Sequence, residues 1–114
     1  TWSDCDGDVE RSFSKDELLT NITIYWATQT INSSTRIYYE TQQTIWELKQ
    51  DEMIRVPTSV AVFPKELSHP PREWAERSYN LQRWTQIPRG GHFAALEEPN
   101  LLVEDIRAFF RPLR

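Results

Sequence analysis

The stretch VPTSVAVFPKELSHPPREWAERSYNLQRWTQIP, residues 56–88, decides the fold of this chain. "VPTSVAVF" is a short apolar run rich in β-branched residues and stopped by Pro64, which predicts a buried strand over 58–63. "HPPREWAERSYN" has prolines suited to a helix's first turn and Asn80 suited to its end, with Trp74, Ala75 and Ser78 facing inward. "RWTQI", closed by Pro88, reads as a weaker strand. Strand, helix, strand in succession predicts a parallel pair joined by a helical crossover, and parallel sheets are covered on both faces. Two strands alone are marginal in water, so further strands are expected from outside these 114 residues. They would come from the earlier part of a larger α/β protein or from a partner; a first residue of Thr1 rather than Met favours the former.

Toward the N-terminus, "FSKDELL" supplies a helix start. Ser14 is the N-cap, Glu17 completes a capping box, and Phe13 and Leu18 hold hydrophobic-staple positions. Leu18, Ile22, Tyr25, Trp26 and Gln29 recur at helical spacing as an apolar stripe with a polar end, predicting a packed helix. "NSS" at 32–34 offers a cap for a second helix carrying Ile37, Tyr38 and Thr41. Residues 1–12 are acidic, contain the turn-forming "DGD" and show no period, so they read as an irregular lead-in. "DEMIR" reads as a polar connector. Toward the C-terminus, Pro99 opens a last helix whose Leu102, Ile106 and Phe109 or Phe110 make its buried face, ending at Pro112.

The bulk numbers limit the function classes. A chain of 114 residues with 39% hydrophobic and 26% charged residues is one globular domain's worth of sequence. A net charge of −4 without a Lys/Arg cluster argues against nucleic acid as a partner, and the single "RGG" at 89–91 is too little for an RNA-binding tract. No apolar run approaches the roughly 20 residues of a membrane helix, so no membrane segment is expected. A soluble, cytoplasmic chain is the default, although the sequence leaves compartment and oligomeric state open. Cys5 is the only cysteine, which excludes an intrachain disulfide, and two histidines are too few for a structural zinc site. Asn21 and Asn32 head glycosylation-like triplets, a pattern that often arises by chance, and Asn21 lies in the expected packed helix.

Chemistry gathers at the carboxyl ends of strands in an open α/β sheet. Glu66 follows the strand ending at Phe63, and His92, in "PRGGHFAALEEP" at 88–99, follows the strand ending at Ile87. Neighbouring parallel strands would deliver both to one edge. An acid after one strand, a histidine after the next and a nucleophile upstream is the chain order of the α/β-hydrolase triad, and the nucleophile is what these residues lack.

"KDELLTNITIYWATQTINSSTRIYYE", "FPKELSHPPREW" and "RGGHFAALEEPNLLVEDIRAFF" together resemble the C-terminal third of the microsomal-type epoxide hydrolases, and the similarity runs through nearly all the chain. The resemblance implies an α/β-hydrolase fold. Residues 1–50 would hold the end of the lid and the helix after it. Residues 51–114 would hold the last two parallel strands with their helices. It implies that His92 is the general base that activates water, that Glu66 orients it, and that Tyr38, in "SS-x-R-x-Y", donates a proton to the epoxide oxygen. The nucleophilic aspartate, the oxyanion-hole residues and the second tyrosine that the family typically uses fall outside these residues, so the chain alone is expected to be inactive. The implied partners are a small apolar epoxide and the N-terminal portion of the same protein, with no metal or organic cofactor.

Other readings compete. A haloalkane dehalogenase or serine esterase would share the histidine and the acid but lack the tyrosine donor, and a catalytically silent hydrolase-fold protein would use the same scaffold for binding. A lone histidine is more often structural, and His69, beside two prolines at a helix start, is read as a capping or surface residue. Trp26, Trp46, Trp74 and Trp84 read as core. Glu97 and Glu98 read as first-turn acids complementing a helix dipole rather than as paired catalytic carboxylates.

Overall fold

The computed structural model describes residues 2–43, 48–49 and 52–114. Trp46 and the expected boundary near residue 50 lie outside the described residues. After a 3-10 turn at Val9–Arg11 come helix α1 (Lys15–Thr28), helix α2 (Ile31–Gln43), strand β1 (Ile54–Val62), helix α3 (Arg72–Ser78), strand β2 (Tyr79–Gln86), the short helix α4 (Ala94–Glu97) and helix α5 (Pro99–Phe110).

Local chemistry explains where α1 begins. The Ser14 hydroxyl accepts the Glu17 amide at 3.2 Å while the Glu17 carboxylate accepts the Ser14 amide at 2.8 Å, so two otherwise orphaned donors are satisfied reciprocally. The helix stops at Gln29, which adopts the left-handed conformation and donates its amide to the Trp26 carbonyl. That reversal lets α2 start at Ile31, ahead of the expected cap at 32–34. Ser33 and Ser34 sit in its first turn instead, donating their hydroxyls to the carbonyls of Thr30 and Ile31.

β1 and β2 pair in parallel, as the strand-helix-strand order requires, with Thr58 opposite Leu81 and Val62 opposite Gln86. Both strands run longer than their sequence patterns. β1 extends back through Pro57 to Ile54, where the register slips, and the Asn80 side chain donates to the Arg55 carbonyl at 2.9 Å across that irregularity. Asn80 therefore belongs to β2 rather than to the end of α3. The helix passes directly into the strand at Tyr79, whose amide still bonds the Ala75 carbonyl.

The buried apolar side chains among the described residues are Cys5, Phe13, Phe63 and Ile87. They come from the N-terminal segment and the two strand ends, so the best-packed part of the molecule lies beneath the carboxyl edge of the sheet. The N-terminal segment is irregular in backbone apart from its 3-10 turn, as its lack of period implies, and it is nevertheless docked.

Elsewhere the expected buried faces stand open. α1 buries no residue: Ile22 and Asn21 are exposed and Trp26 is 84% exposed, while Leu18 and Tyr25 are half-buried. Trp74 is 65% exposed on α3, although Ala75, Ser78 and Trp84 are half-buried. On α5, Leu102 and Phe109 are half-buried, whereas Ile106 and Phe110 are exposed. The buried residue of α5 is Asp105, held by the Arg83 guanidinium and the Thr85 hydroxyl of β2, each 2.7 Å away. Two strands present too little surface to cover five helices, and this is why periodicity overstates burial here.

Candidate active site

The parallel ladder continues past the strands and carries the site. The Ile87 amide bonds the Val62 carbonyl at 2.8 Å, the Lys65 amide bonds the Gly90 carbonyl at 3.1 Å, and Lys65 and Gly91 form a further parallel bridge. The turn after β1 and the glycine loop after β2 therefore leave the sheet side by side. Gly90 has φ +100, and a Cβ there would stand 2.9 Å from the Phe63 ring, so both the backbone conformation and the space demand glycine.

His92 Nδ1 lies 2.7 Å from Glu66 Oε1, across 26 positions of sequence. A carboxylate only accepts, so the ring nitrogen facing it carries the hydrogen and Nε2 keeps its lone pair. The same Oε1 accepts the Leu67 amide at 2.6 Å. That amide first, and the His92 hydrogen bond second, hold the Glu66 carboxyl below its ordinary value. The two side chains are 38% and 35% exposed, so solvent reaches the pair. The ring edges of Trp2 and Phe93 pack against the imidazole at centroid distances of 5.6 and 5.2 Å.

Tyr38 stands apart from this pair. It is 69% exposed on α2, beside Ile37, Thr41 and Gln42, and among the described residues its hydroxyl has no hydrogen-bond partner. Tyr39 is equally exposed and Tyr25 half-buried. His69 Nε2 donates to the Phe63 carbonyl at 2.8 Å, bracing the turn that carries Glu66. Among the described residues no group of three His, Cys, Asp or Glu could hold a metal ion.

Glu97 stands in the first turn of α4 and Glu98 at the N-cap of α5, at helix starts as the sequence reading has them. Glu97 ends α4, where its two oxygens accept the amides of Phe93 and Asp4, and Glu98 pairs with Arg89 at 2.6 Å without a side-chain capping bond to α5. The sequence reading missed Trp2, Asp4 and Glu97 as neighbours of His92. The available signal was slight: an acidic lead-in that nevertheless carries Trp2 and Cys5, apolar side chains a solvated segment has no use for.

The chain is similar to known proteins. No protein-family model matches the chain. Epoxide hydrolase 1 of Sus scrofa is 49% identical over 91% of the chain, and juvenile hormone epoxide hydrolase 2 of Ctenocephalides felis is 45% identical over 89%. The crystal structure of juvenile hormone epoxide hydrolase from Bombyx mori superposes on 96% of the chain with a TM-score of 0.81 and 29% identity, the chain covering 28% of that structure. The chain spans about a quarter of the length of the curated relatives it matches, 24% for the Sus scrofa protein. By sequence and backbone together, the chain is a homologue, over nearly its whole length, of the C-terminal region of the epoxide hydrolases, proteins of the α/β-hydrolase fold.

Proposed function

We propose that these residues form the water-activating half of an epoxide hydrolase, which converts an apolar epoxide to a vicinal diol through an ester on an aspartate carried by the N-terminal portion of the same protein. The observation that carries this reading is the 2.7 Å contact between His92 Nδ1 and Glu66 Oε1 at the carboxyl edge of two parallel strands. The homology to named epoxide hydrolases favours it over a dehalogenase or an esterase.

The chemistry runs in two halves. In the first, the aspartate carboxylate attacks one epoxide carbon, a carbon–oxygen bond forms as the ring bond breaks, and the departing oxygen takes a proton from the Tyr38 phenol. An alkoxide is a poor leaving group, so a positioned O–H is what makes opening feasible at neutral pH. In the second, His92 Nε2 takes a proton from water, and the oxygen adds to the ester carbonyl. The ester C–O bond breaks, the diol leaves with that proton, and the water's second proton, left on the released carboxyl, returns to the Tyr38 phenolate, restoring the aspartate and the phenol. Glu66 fixes the tautomer that leaves Nε2 free and stabilises the imidazolium that forms. An apolar substrate suits the surroundings, since Phe93, next to His92, lines an open depression with Phe13, Leu18, Ile22, Ile24 and Leu96.

The full-length protein with His92→Ala tests the reading. Incubated with styrene oxide, it should accumulate a covalent adduct visible by intact mass, with turnover reduced about 10²- to 10⁴-fold. Unchanged turnover, or no adduct, would overturn it. In the same assay Tyr38→Phe should slow adduct formation.

A further inference from the structure

The N-terminal segment grips the loop that carries His92, and it does so through backbone groups on both sides of the histidine. The His92 amide donates to the Trp2 carbonyl at 2.9 Å, and the Gly90 amide donates to Asp4 Oδ2 at 2.9 Å. Beyond the histidine, the Phe93 amide donates to Glu97 Oε1 at 2.9 Å, and Glu97 Oε2 accepts the Asp4 amide at 2.7 Å. Asp4 thus closes a clasp, with its carboxylate on the loop's entry and its amide on the side chain that holds the exit. Bonds from amides to carboxylates are charge-assisted and about twice as strong as neutral ones.

The clasp is itself anchored. The Ser12 hydroxyl donates to the Asp4 carbonyl at 3.1 Å, the Asp8 amide to the Cys5 carbonyl at 3.0 Å, and both Cys5 and Phe13 are buried. Contact is so close at Gly91 that a Cβ there would stand 2.7 Å from the Trp2 carbonyl oxygen and 3.1 Å from Glu97 Oε1. On its other side the loop is tied to the turn bearing Glu66 through the Lys65 amide and the Gly90 carbonyl. The loop is therefore held between the strap at 2–13 and the acid's turn. Neither hold acts on the imidazole's own hydrogen bond.

We infer that Asp4 and Glu97 are positioning residues for His92, setting the backbone from which the base reaches its water. This rests on the proposed function, because a base has to be placed only if it acts. The two half-reactions separate the effect from general damage: ester formation depends on the upstream aspartate and the tyrosine donor, whereas ester hydrolysis depends on His92. Misplacing a reacting group by an ångström costs on the order of a hundredfold.

The test is rapid-quench kinetics on the full-length protein with styrene oxide. Asp4→Ala should slow ester hydrolysis about ten- to hundredfold while ester formation changes by less than about twofold, so that the adduct accumulates in steady state. Asp4→Asn, whose amide oxygen still accepts from Gly90, should recover most of the rate. Glu97→Gln, which keeps one acceptor and loses the other, should show the same separation at smaller amplitude, and it carries the test if Asp4→Ala does not fold. Wild-type ester hydrolysis in these variants, or an equal fall in both half-reactions, would overturn the inference. Failure of the underlying reading shows differently, as the absence of any adduct in the wild type and in His92→Ala.

Discussion

At the scale of single residues, the Glu66 carboxylate is the group whose surroundings are most telling. It receives the Leu67 amide and the His92 ring nitrogen on one oxygen, and both favour the charged form. Its carboxyl is thereby held below the ordinary value of 4.5, so the folded state binds a proton there less readily than the unfolded chain. The stability this contributes is complete above the unfolded carboxyl value and is lost as pH falls through the lowered folded value. In the full-length protein, Glu66→Gln should therefore be less stable than the parent by a gap that is constant at neutral pH and closes in acid below about pH 4.5. Urea titrations at a series of pH values measure it, and a gap that widens on acidification would refute the assignment. The geometry that brings Glu66 to His92 was legible in the sequence from chain order, since parallel neighbours present their carboxyl ends together. Trp2, Asp4 and Glu97 were not, because nothing local marks a residue whose partner lies 86 or 93 positions away.

At the scale of elements, the firmest link between α5 and the sheet is polar. Asp105 is 7% exposed and receives both Arg83 and Thr85 of β2. A buried carboxylate with two donors is stable only while both are present, and removing it leaves those donors facing each other without an acceptor. Arg83 is 37% exposed and can recover some hydration. Asp105→Ala should accordingly cost about 1–3 kcal/mol, with Asp105→Asn costing less, as read from thermal or urea unfolding. Helical periodicity assigns α5 an apolar buried face at Leu102, Ile106 and Phe109 or Phe110, and overlooks Asp105 because a carboxylate in a helix ordinarily faces water. The capping box at Ser14 and Glu17 is the opposite case. Its chemistry is confined to four consecutive residues, so the sequence announces the start of α1 and the structure repeats it.

At the scale of the whole molecule, the chain is open. Its accessible surface is 9649 Å², half again the value of about 6,500 Å² expected for a compact monomer of this mass. Its radius of gyration is 17.2 Å, against about 13 Å for a compact domain of this length. α1 leaves Leu19, Ile22, Ile24 and Trp26 exposed, large apolar side chains suited to burial against a neighbouring surface. The 114-residue polypeptide expressed alone should bind a hydrophobic dye such as ANS and self-associate, and co-expression with the N-terminal portion that the proposed function calls for should suppress both. Dye fluorescence and light scattering read the outcome. A compact monomer that leaves the dye dark would contradict the picture.

What the sequence determined by itself is local: the capped start of α1, the helix between two strands, the parallel pairing that follows from it, and an acid and a histidine placed just past the strand ends. These depend on residues within a few positions of one another, or on a topological rule that needs only their order. Tertiary structure alone decided which apolar residues are covered, how far the strands extend, and that the first dozen residues clasp the histidine loop. Burial and long-range hydrogen bonding depend on which surfaces meet when the chain closes on itself, and a periodic pattern marks a face without saying what is there to cover it.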